Sequence, residues 1–576
     1  MFEPYAIAFG RGAHRHALDA GAAELDLPVR IEAAEMLLVA GAGTSFLKGD
    51  HSLLVGQIFD TAEKRLETLP VEFESWSTLA EARAFPPGVW GNFAYFSRPA
   101  GLASVYRDPS GSVPVYRIGD RSEAVFVSSA EFARKLKLVE QAEFDERFIV
   151  HWLQFPFLRT DRTGIEGVTE LLPGMVFRSC GRRSWRQSNG WHPSTFVLKH
   201  IQDPAEGARR LRATALGIVG IQPSASKIAL RLSGGLDSSI IAACLAEAKR
   251  EFCCINFATT SRDGDERGHA REVARTFGAK LVEVGEPETG PLEIPDRLSF
   301  RPLMNPLLLP FEKAIDEAAR DLGASLLVDG GGGDNLFCSL SSAAPLIDAL
   351  RSMRPSNVNA ALRDIASRAN CTLWEVILAA ARRLAGGRPA WKEDRSFMVS
   401  EALLARPNLH PWLLELPAPP GKREHVEAIV HIQHFLDRSG SSIERIHPLL
   451  AQPLLELCLQ IPSWLWLAGG RDRAVAREAF KGLVPASVLE RRIKGSLQGM
   501  LYRGFSALRE PMRELLVEGE LAKLRIVDAA AIEDALNGEV WMRDEVQLRI
   551  SEMAALELWI RSWGSRVART HHLSSR

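Results

Sequence analysis

The sequence predicts an α/β protein built from two unlike parts. Up to about residue 200, short strand-like runs alternate with turn residues, which is typical of stacked antiparallel sheets. From residue 228 onwards, apolar strands alternate with helices, which predicts a doubly wound parallel sheet with added helices. Turn residues cluster between 188 and 204, so we predict domains at 1–200 and 201–576.

The bulk composition excludes several classes of protein. A net charge of −1 over 576 residues gives no general attraction to nucleic acid. The most apolar stretch, residues 454–470, is interrupted by Glu456, Gln460 and Pro462, so we predict no integral membrane segment. The start of the chain lacks the basic and apolar regions of a signal peptide. The 7 cysteines are scattered and include no C-x-x-C pair, so we expect reduced thiols in a cytoplasmic protein.

In the first part, apolar runs between turn residues mark the strands, and helical spacing marks the helices. The predicted strands cover 35–41, 52–59, 92–96 and 124–128. The predicted helices cover 131–138 and 145–153, and a third over 205–217 leads into the second part.

The second part is organised around residues 228–245, which read IALRLSGGLDSSIIAACL. An apolar strand, a glycine turn and the start of a helix form a phosphate-binding junction, because glycine allows close approach and the helix N-terminus offers N–H groups to an anion. Asp237 can hold Mg²⁺ on the phosphates. The predicted phosphate-binding residues are Leu232, Ser233, Gly234, Gly235, Asp237, Ser238 and Ser239.

A second glycine-rich stretch follows the predicted strand 325–328. It reads DGGGGD from Asp329 to Asp334. Four glycines in succession cost conformational entropy, which makes sense where the backbone wraps closely round phosphates and an acceptor. We assign Asp329 and Gly330 to the nucleotide site, and we expect Asp334 to face Asp237 as the second Mg²⁺ ligand.

The SGGLDSS loop resembles the pyrophosphate loop of the ATP pyrophosphatase superfamily, whose members split ATP between the α and β phosphates. The strand 252–257, the helix 265–277 and the strand 280–284 then complete a doubly wound sheet. Ligands bind such sheets at the carboxyl ends of the strands. We therefore expect Leu232 and Phe257 to flank the adenine.

The first part resembles the N-terminal glutaminase domain of class B asparagine synthetases, an αββα sandwich of the Ntn type. The resemblance is carried by 55–60, 91–94, 107–116 and 164–174, in order and at sensible spacing. Working glutaminases of that family have cysteine as residue 2, whereas this chain has Phe2. Val55 stands where the family has the side-chain amide that stabilises the oxyanion. We therefore predict a degenerate domain that does not hydrolyse glutamine.

Two departures concern the second part. Gly331 stands where asparagine synthetases have Glu and β-lactam synthetases have Tyr, which predicts a roomier acceptor pocket. The family's catalytic lysine, which neutralises charge during adenylation, corresponds to Lys494, although it falls one place late. Arg491 and Arg492 are the alternatives for this role.

Taken together, these features resemble the lasso peptide cyclases, or macrolactam synthetases. The resemblance implies that ATP and Mg²⁺ are used to adenylate an Asp or Glu side chain of a precursor peptide. The peptide's N-terminal amine then attacks, AMP leaves and an isopeptide ring forms. The implied partners are the precursor peptide and the leader peptidase and leader-binding protein of the same pathway.

Other functions stay open at this stage. One is a small-molecule amide or β-lactam-type synthetase, or an ammonia-dependent relative of asparagine synthetase. Another is a scaffold that has lost its chemistry, which the two intact loops oppose. The sequence does not identify the peptide, the ring size, the oligomeric state or the role of the predominantly helical region 340–420. The candidates for the general base are His431, Asp437, Glu444 and His447.

Overall fold

The structure is a computed structural model. It describes residues 4–10, 12–33, 35–78, 85–86, 88–99, 102–119, 124–139, 142–180, 184–221, 227–261, 264–295, 297–302, 305–386, 391–435, 443–492 and 495–564.

The first part contains two antiparallel sheets, as the sequence predicts. In chain order, its strands are β1 (Tyr5–Phe9), β2 (Val29–Ala33), β3 (Met36–Ala40), β4 (Phe46–Lys48), β5 (Ser52–Asp60), β6 (Val89–Ser97), β7 (Ser104–Arg107), β8 (Tyr116–Ile118), β9 (Val125–Val127), β10 (Val168–Glu170), β11 (Met175–Cys180) and β12 (Ser184–Asn189). The first sheet has the order β10-β8-β9-β1-β3-β2 and the second has the order β12-β11-β7-β6-β5-β4.

Side chains on these strands alternate between two faces, as the period of a strand requires. In β1, Tyr5, Ile7 and Phe9 lie in the core between the sheets, whereas Ala6 and Ala8 lie on the outer face. Helices cover both outer faces, which confirms the αββα sandwich. They are α1 (Ala13–Glu24), α3 (Ala130–Lys135) and α4 (Glu146–Gln154) on the first sheet and α2 (Val71–Thr78) on the second.

The second part is built on a parallel sheet with helices on both faces, which confirms the doubly wound arrangement. Its strands are β13 (Ile228–Arg231), β14 (Phe252–Ala258), β15 (Lys280–Gly285), β16 (Leu326–Asp329) and β17 (Glu444–Ile446). They lie in the order β15-β14-β13-β16-β17 and all neighbours are parallel.

The helices that follow the first sandwich occupy most of the remaining chain. They are α5 (Ser194–Val197), α6 (Pro204–Gly220), α7 (Leu236–Glu247), α8 (Arg267–Thr276), α9 (Leu309–Asp321), α10 (Gly333–Leu336), α11 (Ala344–Arg351), α12 (Pro355–Ala369), α13 (Leu373–Gly386), α14 (Pro420–Gln433), α15 (Gln452–Gln460), α16 (Ala474–Ala479), α17 (Ala486–Leu489), α18 (Gln498–Val517), α19 (Glu520–Lys523), α20 (Ala529–Asn537) and α21 (Asp544–Ser562). Helices α6, α7 and α8 share a core with one face of the parallel sheet, and α9 covers the other face.

The prediction of a largely helical region 340–420 is correct only for its first half. Helices α11 to α13 end at Gly386, and the described residues from 391 to 419 are irregular apart from short 3-10 turns at Ser400–Ala402 and Pro411–Leu413. Prolines at 407, 411, 417 and 419 explain the difference, because each removes a backbone donor that a helix needs.

A buried charge cluster joins the two parts. Glu170, at the end of β10, is completely buried. It accepts hydrogen bonds from Arg107 at 2.8 Å and from Arg301 at 2.7 Å, and it also pairs with Arg159. Arg301 belongs to the second part, so one carboxylate connects both parts.

In the part of the chain that the structure describes, none of the helices is long and apolar enough to cross a bilayer.

Candidate active site

The loop between β13 and α7 lies at the carboxyl end of the central strand, as the sequence predicts. Gly234 has a φ of +77°, and a Cβ there would lie 2.8 Å from the backbone nitrogen of Ala270, so glycine is required. Gly235 is the N-cap of α7 and no side chain caps this helix. The N–H groups of the first helical turn can therefore donate hydrogen bonds to an anion.

Hydroxyl groups fix the shape of this loop. The Ser238 hydroxyl lies 3.1 Å from the Ser233 hydroxyl, and the Ser239 hydroxyl donates to the carbonyl of Gly235 at 2.7 Å. The carbonyl of Leu232 accepts a hydrogen bond from the side chain of Asn256 on β14 at 2.8 Å. A side chain of the neighbouring strand thus holds the loop in place, and hydrogen bonds within the loop fix its serine hydroxyl groups.

The second glycine loop packs directly on the start of α7. A Cβ on Gly330 would lie 2.7 Å from the backbone nitrogen of Ser238, and one on Gly333 would lie 2.4 Å from Cγ of Asp237. Only glycine allows the two loops to approach this closely. The structure therefore brings the residues predicted on the two loops into one site.

The carboxylates of Asp237 and Asp334 converge on a guanidinium. Nη1 of Arg473 lies 3.3 Å from both carboxylate oxygens of Asp237 and also contacts Asp334. Arg473 is at the start of α16, with a φ of +54°, and its Nε lies 3.5 Å from Asp472. Arg473 is not among the site residues predicted from the sequence, because nothing in the run Arg471-Asp472-Arg473 distinguishes it from a solvated charge cluster.

Electrostatics keep this cluster ionised. Burial alone would lower the pKa of Arg473, but Asp237, Asp334 and Asp472 raise it well above its ordinary value. Burial alone would raise the pKa of Asp472, but Arg473, Ser339 and Arg368 lower it to about 2. The site is therefore a set of fixed charges that favours a cation between two carboxylates.

The donor set fits Mg²⁺. Magnesium is usually held by one or two carboxylates together with substrate phosphates. Asp237 and Asp334 supply two carboxylates from different loops, and the guanidinium of Arg473 is a stand-in cation between them. An ion bound by both carboxylates would have to displace Nη1 of Arg473.

The residue predicted beside the adenine lies on the next strand. Phe257 is near the carboxyl end of β14, and its ring packs edge-on against Phe311 with the centroids 4.6 Å apart. It is half-buried, so part of the ring is accessible. Its contact with adenine stays a prediction.

Lys494, Phe2 and Asp437 lie outside the described residues. Among the neighbours of Lys494 in the chain, Arg491 forms an ion pair with Glu266 at 2.7 Å, and the N–H of Gly495 donates to the same carboxylate at 2.9 Å. Glu266 precedes α8, which passes beside Gly234. The role of Lys494 stays a prediction.

A histidine–aspartate pair lies at the same edge of the sheet. His447 directly follows β17, and its Nδ1 lies 2.6 Å from Oδ1 of Asp329 at the end of β16. The sequence named His447 only as one of four candidate bases. Its position after a strand was a usable signal, but the pairing of β17 with β16 was not visible in the sequence.

Position 55, where the sequence predicts the loss of an oxyanion donor, lies in the core of the first part. Val55 is completely buried between the two sheets, where it packs with Ala94 and Phe96. A valine side chain has no hydrogen-bond donor with which to stabilise an oxyanion.

Known proteins resemble the second part of the chain in particular. The sequence profile described as asparagine synthase matches residues 223–561. A curated relative, the microcin J25-processing protein McjC of Escherichia coli, is 31% identical over 134 residues. This match covers 22% of the chain and 25% of the relative, so the chain spans only a quarter of that protein's length.

Two solved structures share weak similarity. The allosteric regulatory enzyme of purine biosynthesis is 10% identical, with 57% of this chain and 83% of that chain covered and a TM-score of 0.19. The glutamine phosphoribosylpyrophosphate amidotransferase from B. subtilis, complexed with ADP and GMP, is 9% identical, with coverage of 57% and 90% and a TM-score of 0.21. TM-scores this low carry no argument about the chain.

Proposed function

The chain belongs to the asparagine synthase family, and from that premise we propose that it is an ATP-dependent ligase that forms a carbon–nitrogen bond and so closes a lasso peptide ring. The substrate is a precursor peptide with a free N-terminal amine and an acceptor Asp or Glu. The observation that carries the substrate class is the similarity to a microcin J25-processing protein. The departures at Phe2 and Val55 support it, because they remove the glutaminase chemistry.

The proposed activation step uses the two glycine loops. The N–H groups at the start of α7, with the hydroxyl groups of Ser233, Ser238 and Ser239, bind the phosphates of ATP. Asp237 and Asp334 hold Mg²⁺, which when bound neutralises charge on the pyrophosphate. Lys494 adds positive charge as the acyl group is transferred to AMP.

Ring closure depends on positioning. The chain holds the peptide so that its amine lies close to the activated carboxyl, which makes the second step effectively unimolecular. The proposed partners are the precursor peptide and the leader peptidase and leader-binding protein that prepare it. We also propose a cytoplasmic location. Six free thiols support it, namely Cys244, Cys253, Cys254, Cys338, Cys371 and Cys458.

ATP–pyrophosphate exchange tests this proposal. The probes are synthetic peptides, each with a free N-terminal amine and a single Asp or Glu at a different position. We expect exchange with a subset of the peptides, AMP formation, and a product lighter by one water. Exchange with free aspartate alone would contradict the peptide assignment, and no exchange with any probe would contradict the ligase activity.

Variants of the two carboxylates test the site. We expect Asp237→Asn and Asp334→Asn to lower exchange by at least about 100-fold, because each removes one of the two carboxylates proposed to hold Mg²⁺ on the pyrophosphate. Asp534→Asn, on the exposed side of α20, is the control and should leave exchange unchanged. Near-normal AMP formation in either site variant would refute the assignment.

A further inference from the structure

The pair formed by His447 and Asp329 stands at the carboxyl edge of the parallel sheet. Strands β16 and β17 are parallel neighbours, with Val328 opposite Ile446, so the next residue of each strand is brought side by side. Asp329 is 7% exposed, and the His447 side chain is 12% exposed. The pair is therefore almost buried, and a small part of the His447 side chain stays accessible.

Asp329 fixes the orientation of the ring. Its Oδ1 accepts the N–H of Gly331 at 2.8 Å and lies 2.6 Å from Nδ1 of His447. A carboxylate only accepts hydrogen bonds, so Nδ1 carries the proton in the neutral ring and Nε2 keeps its lone pair. The carboxylate also stabilises the imidazolium that forms when Nε2 takes up a proton.

Gly331 is the residue that makes room for this pair. A Cβ at this position would lie 2.7 Å from Oδ1 of Asp329 and 3.0 Å from Nδ1 of His447. Any larger residue would therefore push the pair aside. The prediction of a roomier acceptor pocket at Gly331 is therefore wrong at this position, because a histidine and a carboxylate occupy the space of the missing side chain.

The pair is close to the activation site. The same glycine loop contacts Asp237 through Gly330 and Gly333, on either side of Gly331. The same short loop therefore lies against both His447 and Asp237, and the carboxylate of Asp237 is proposed to hold the metal.

We propose that His447 is the general base for the attacking amine, with Asp329 as its positioning residue; this rests on the proposed peptide cyclisation. Nε2 of His447 takes one proton from the substrate's N-terminal ammonium, and the neutral amine attacks the acyl carbon. The C–N bond forms and the C–O bond to AMP breaks, with its electron pair leaving on the AMP phosphate. The second nitrogen proton goes to solvent.

The other described candidates are less suitable. His431 stacks on Phe157, with the centroids 4.6 Å apart, and burial lowers its pKa to about 4. Glu444 begins β17 and pairs with Leu326, so it lies at the opposite end of the strand from the ligand edge.

The test separates activation from ring closure. For His447→Gln with the synthetic peptides, we expect pyrophosphate exchange within about twofold of wild type and ring closure at pH 7 slower by about 10²–10⁴-fold, the range for losing a general base. Hydroxylamine, which is uncharged at neutral pH, should trap the acyl adenylate at the wild-type rate. The matched control is His192→Gln. It replaces another half-buried histidine, whose ring forms a hydrogen bond with the hydroxyl of Ser194.

The pH dependence distinguishes a base from a structural residue. In His447→Gln the ring-closing rate should climb up to about pH 8, where a free α-amine loses its own proton, so the loss shrinks as pH rises. An equal loss at every pH, a loss of exchange, or ring closure at the wild-type rate would each overturn the assignment. Wild-type protein that shows no peptide-dependent exchange would instead refute the proposed function, and the base with it.

Discussion

Arg473 places one guanidinium between two carboxylates that come from different loops. It is nearly buried and adopts a left-handed backbone conformation, which is uncommon for a residue with a Cβ. Its charge offsets the repulsion between Asp237 and Asp334. At the scale of single residues, the site therefore contains its own counterion, and a Mg²⁺ ion bound as proposed would compete with this guanidinium for the same carboxylates.

This competition predicts the behaviour of Arg473→Met. The variant should be less stable by about 1.5–3 kcal/mol, because two carboxylates lose a charged hydrogen-bond donor. Added Mg²⁺ should raise its thermal midpoint more than that of wild type, because binding to the folded state stabilises it. Thermal unfolding with EDTA and with Mg²⁺ measures both effects.

Arg471→Met is the control, because it removes a guanidinium from the same turn. It should leave the response to Mg²⁺ as in wild type. If Mg²⁺ shifts the midpoint of Arg473→Met no more than that of wild type, the two carboxylates do not share a metal position with Arg473.

The glycine loop from Gly330 to Gly333 is the element on which the site depends. Each of these glycines has an atom of a neighbouring element within 3 Å of the place where its Cβ would lie. The contacts lead to α7, to the His447–Asp329 pair and to Leu450, so the loop is the point at which three segments meet.

Gly331→Ala tests this element. The added Cβ must displace Asp329 or His447, and a shift of about 1 Å in a catalytic group can cost about 100-fold in rate. We expect slower ring closure with pyrophosphate exchange largely retained, measured by product formation and by exchange on the same preparation.

Gly268→Ala is the matched control, since a Cβ at Gly268 in α8 meets no atom within 4 Å. It should leave both reactions unchanged. Equal ring-closing rates in Gly331→Ala and wild type would show that the pair tolerates displacement.

At the scale of the whole molecule, Glu170 connects the αββα sandwich of the first part to the second part. Burial opposes its ionisation, but Arg159, Arg301 and Arg107 lower its pKa well below the ordinary range. A buried charge that loses its partner costs about 3–5 kcal/mol. The cluster therefore contributes to stability only while all of its members are present.

We expect Glu170→Gln to lower stability by about 3–5 kcal/mol, because three guanidiniums lose their common counterion. Glu24→Gln, which removes an exposed pair with Lys137, should cost at most about 1 kcal/mol. Thermal unfolding of the two variants gives the comparison. Similar midpoints would show that the buried cluster adds nothing beyond a surface pair.

Buried histidines make the whole molecule sensitive to acid. Burial lowers the pKa of His151 and His431 to about 4 and the pKa of His410 and His425 to about 3, from the ordinary value of 6.5 for histidine. Below pH 6.5 the unfolded chain binds protons that the folded chain does not, so stability falls as pH decreases. Glu170 adds a further loss only below about pH 4.5, where the unfolded carboxyl becomes protonated.

His431→Phe tests this pH dependence, since it keeps an aromatic ring beside Phe157 and Phe435 and removes one titrating group. Between pH 6.5 and 4, the pH dependence of its stability should weaken by up to about 1.4 kcal/mol per pH unit. His16→Gln, at an exposed position, should leave the dependence unchanged. An unaltered slope in His431→Phe would mean that this histidine takes up a proton in the folded chain as readily as in the unfolded chain.

Local sequence patterns were enough to predict several of the strands and helices and the two glycine loops. The apolar runs of β3, β5 and β13 and the glycine turn at Gly234 are such patterns, because strand and helix periods fix which side chains share a face. The prolines after Gly386 are also a local signal, and they argue against a helix. The helical pattern was given more weight than these prolines, so the prediction of a largely helical region 340–420 was partly wrong. The family resemblance came from the same short motifs.

Which charges meet depends on the tertiary packing. Arg473 and Asp237 are 236 residues apart, and His447 and Asp329 are 118 apart. The pairing of β17 with β16 brings His447 to Asp329, whereas the residue before α16 brings a guanidinium to Asp237, and no local period records either contact. Gly331 shows both limits: the sequence revealed the missing side chain, and the fold revealed the pair that fills its space.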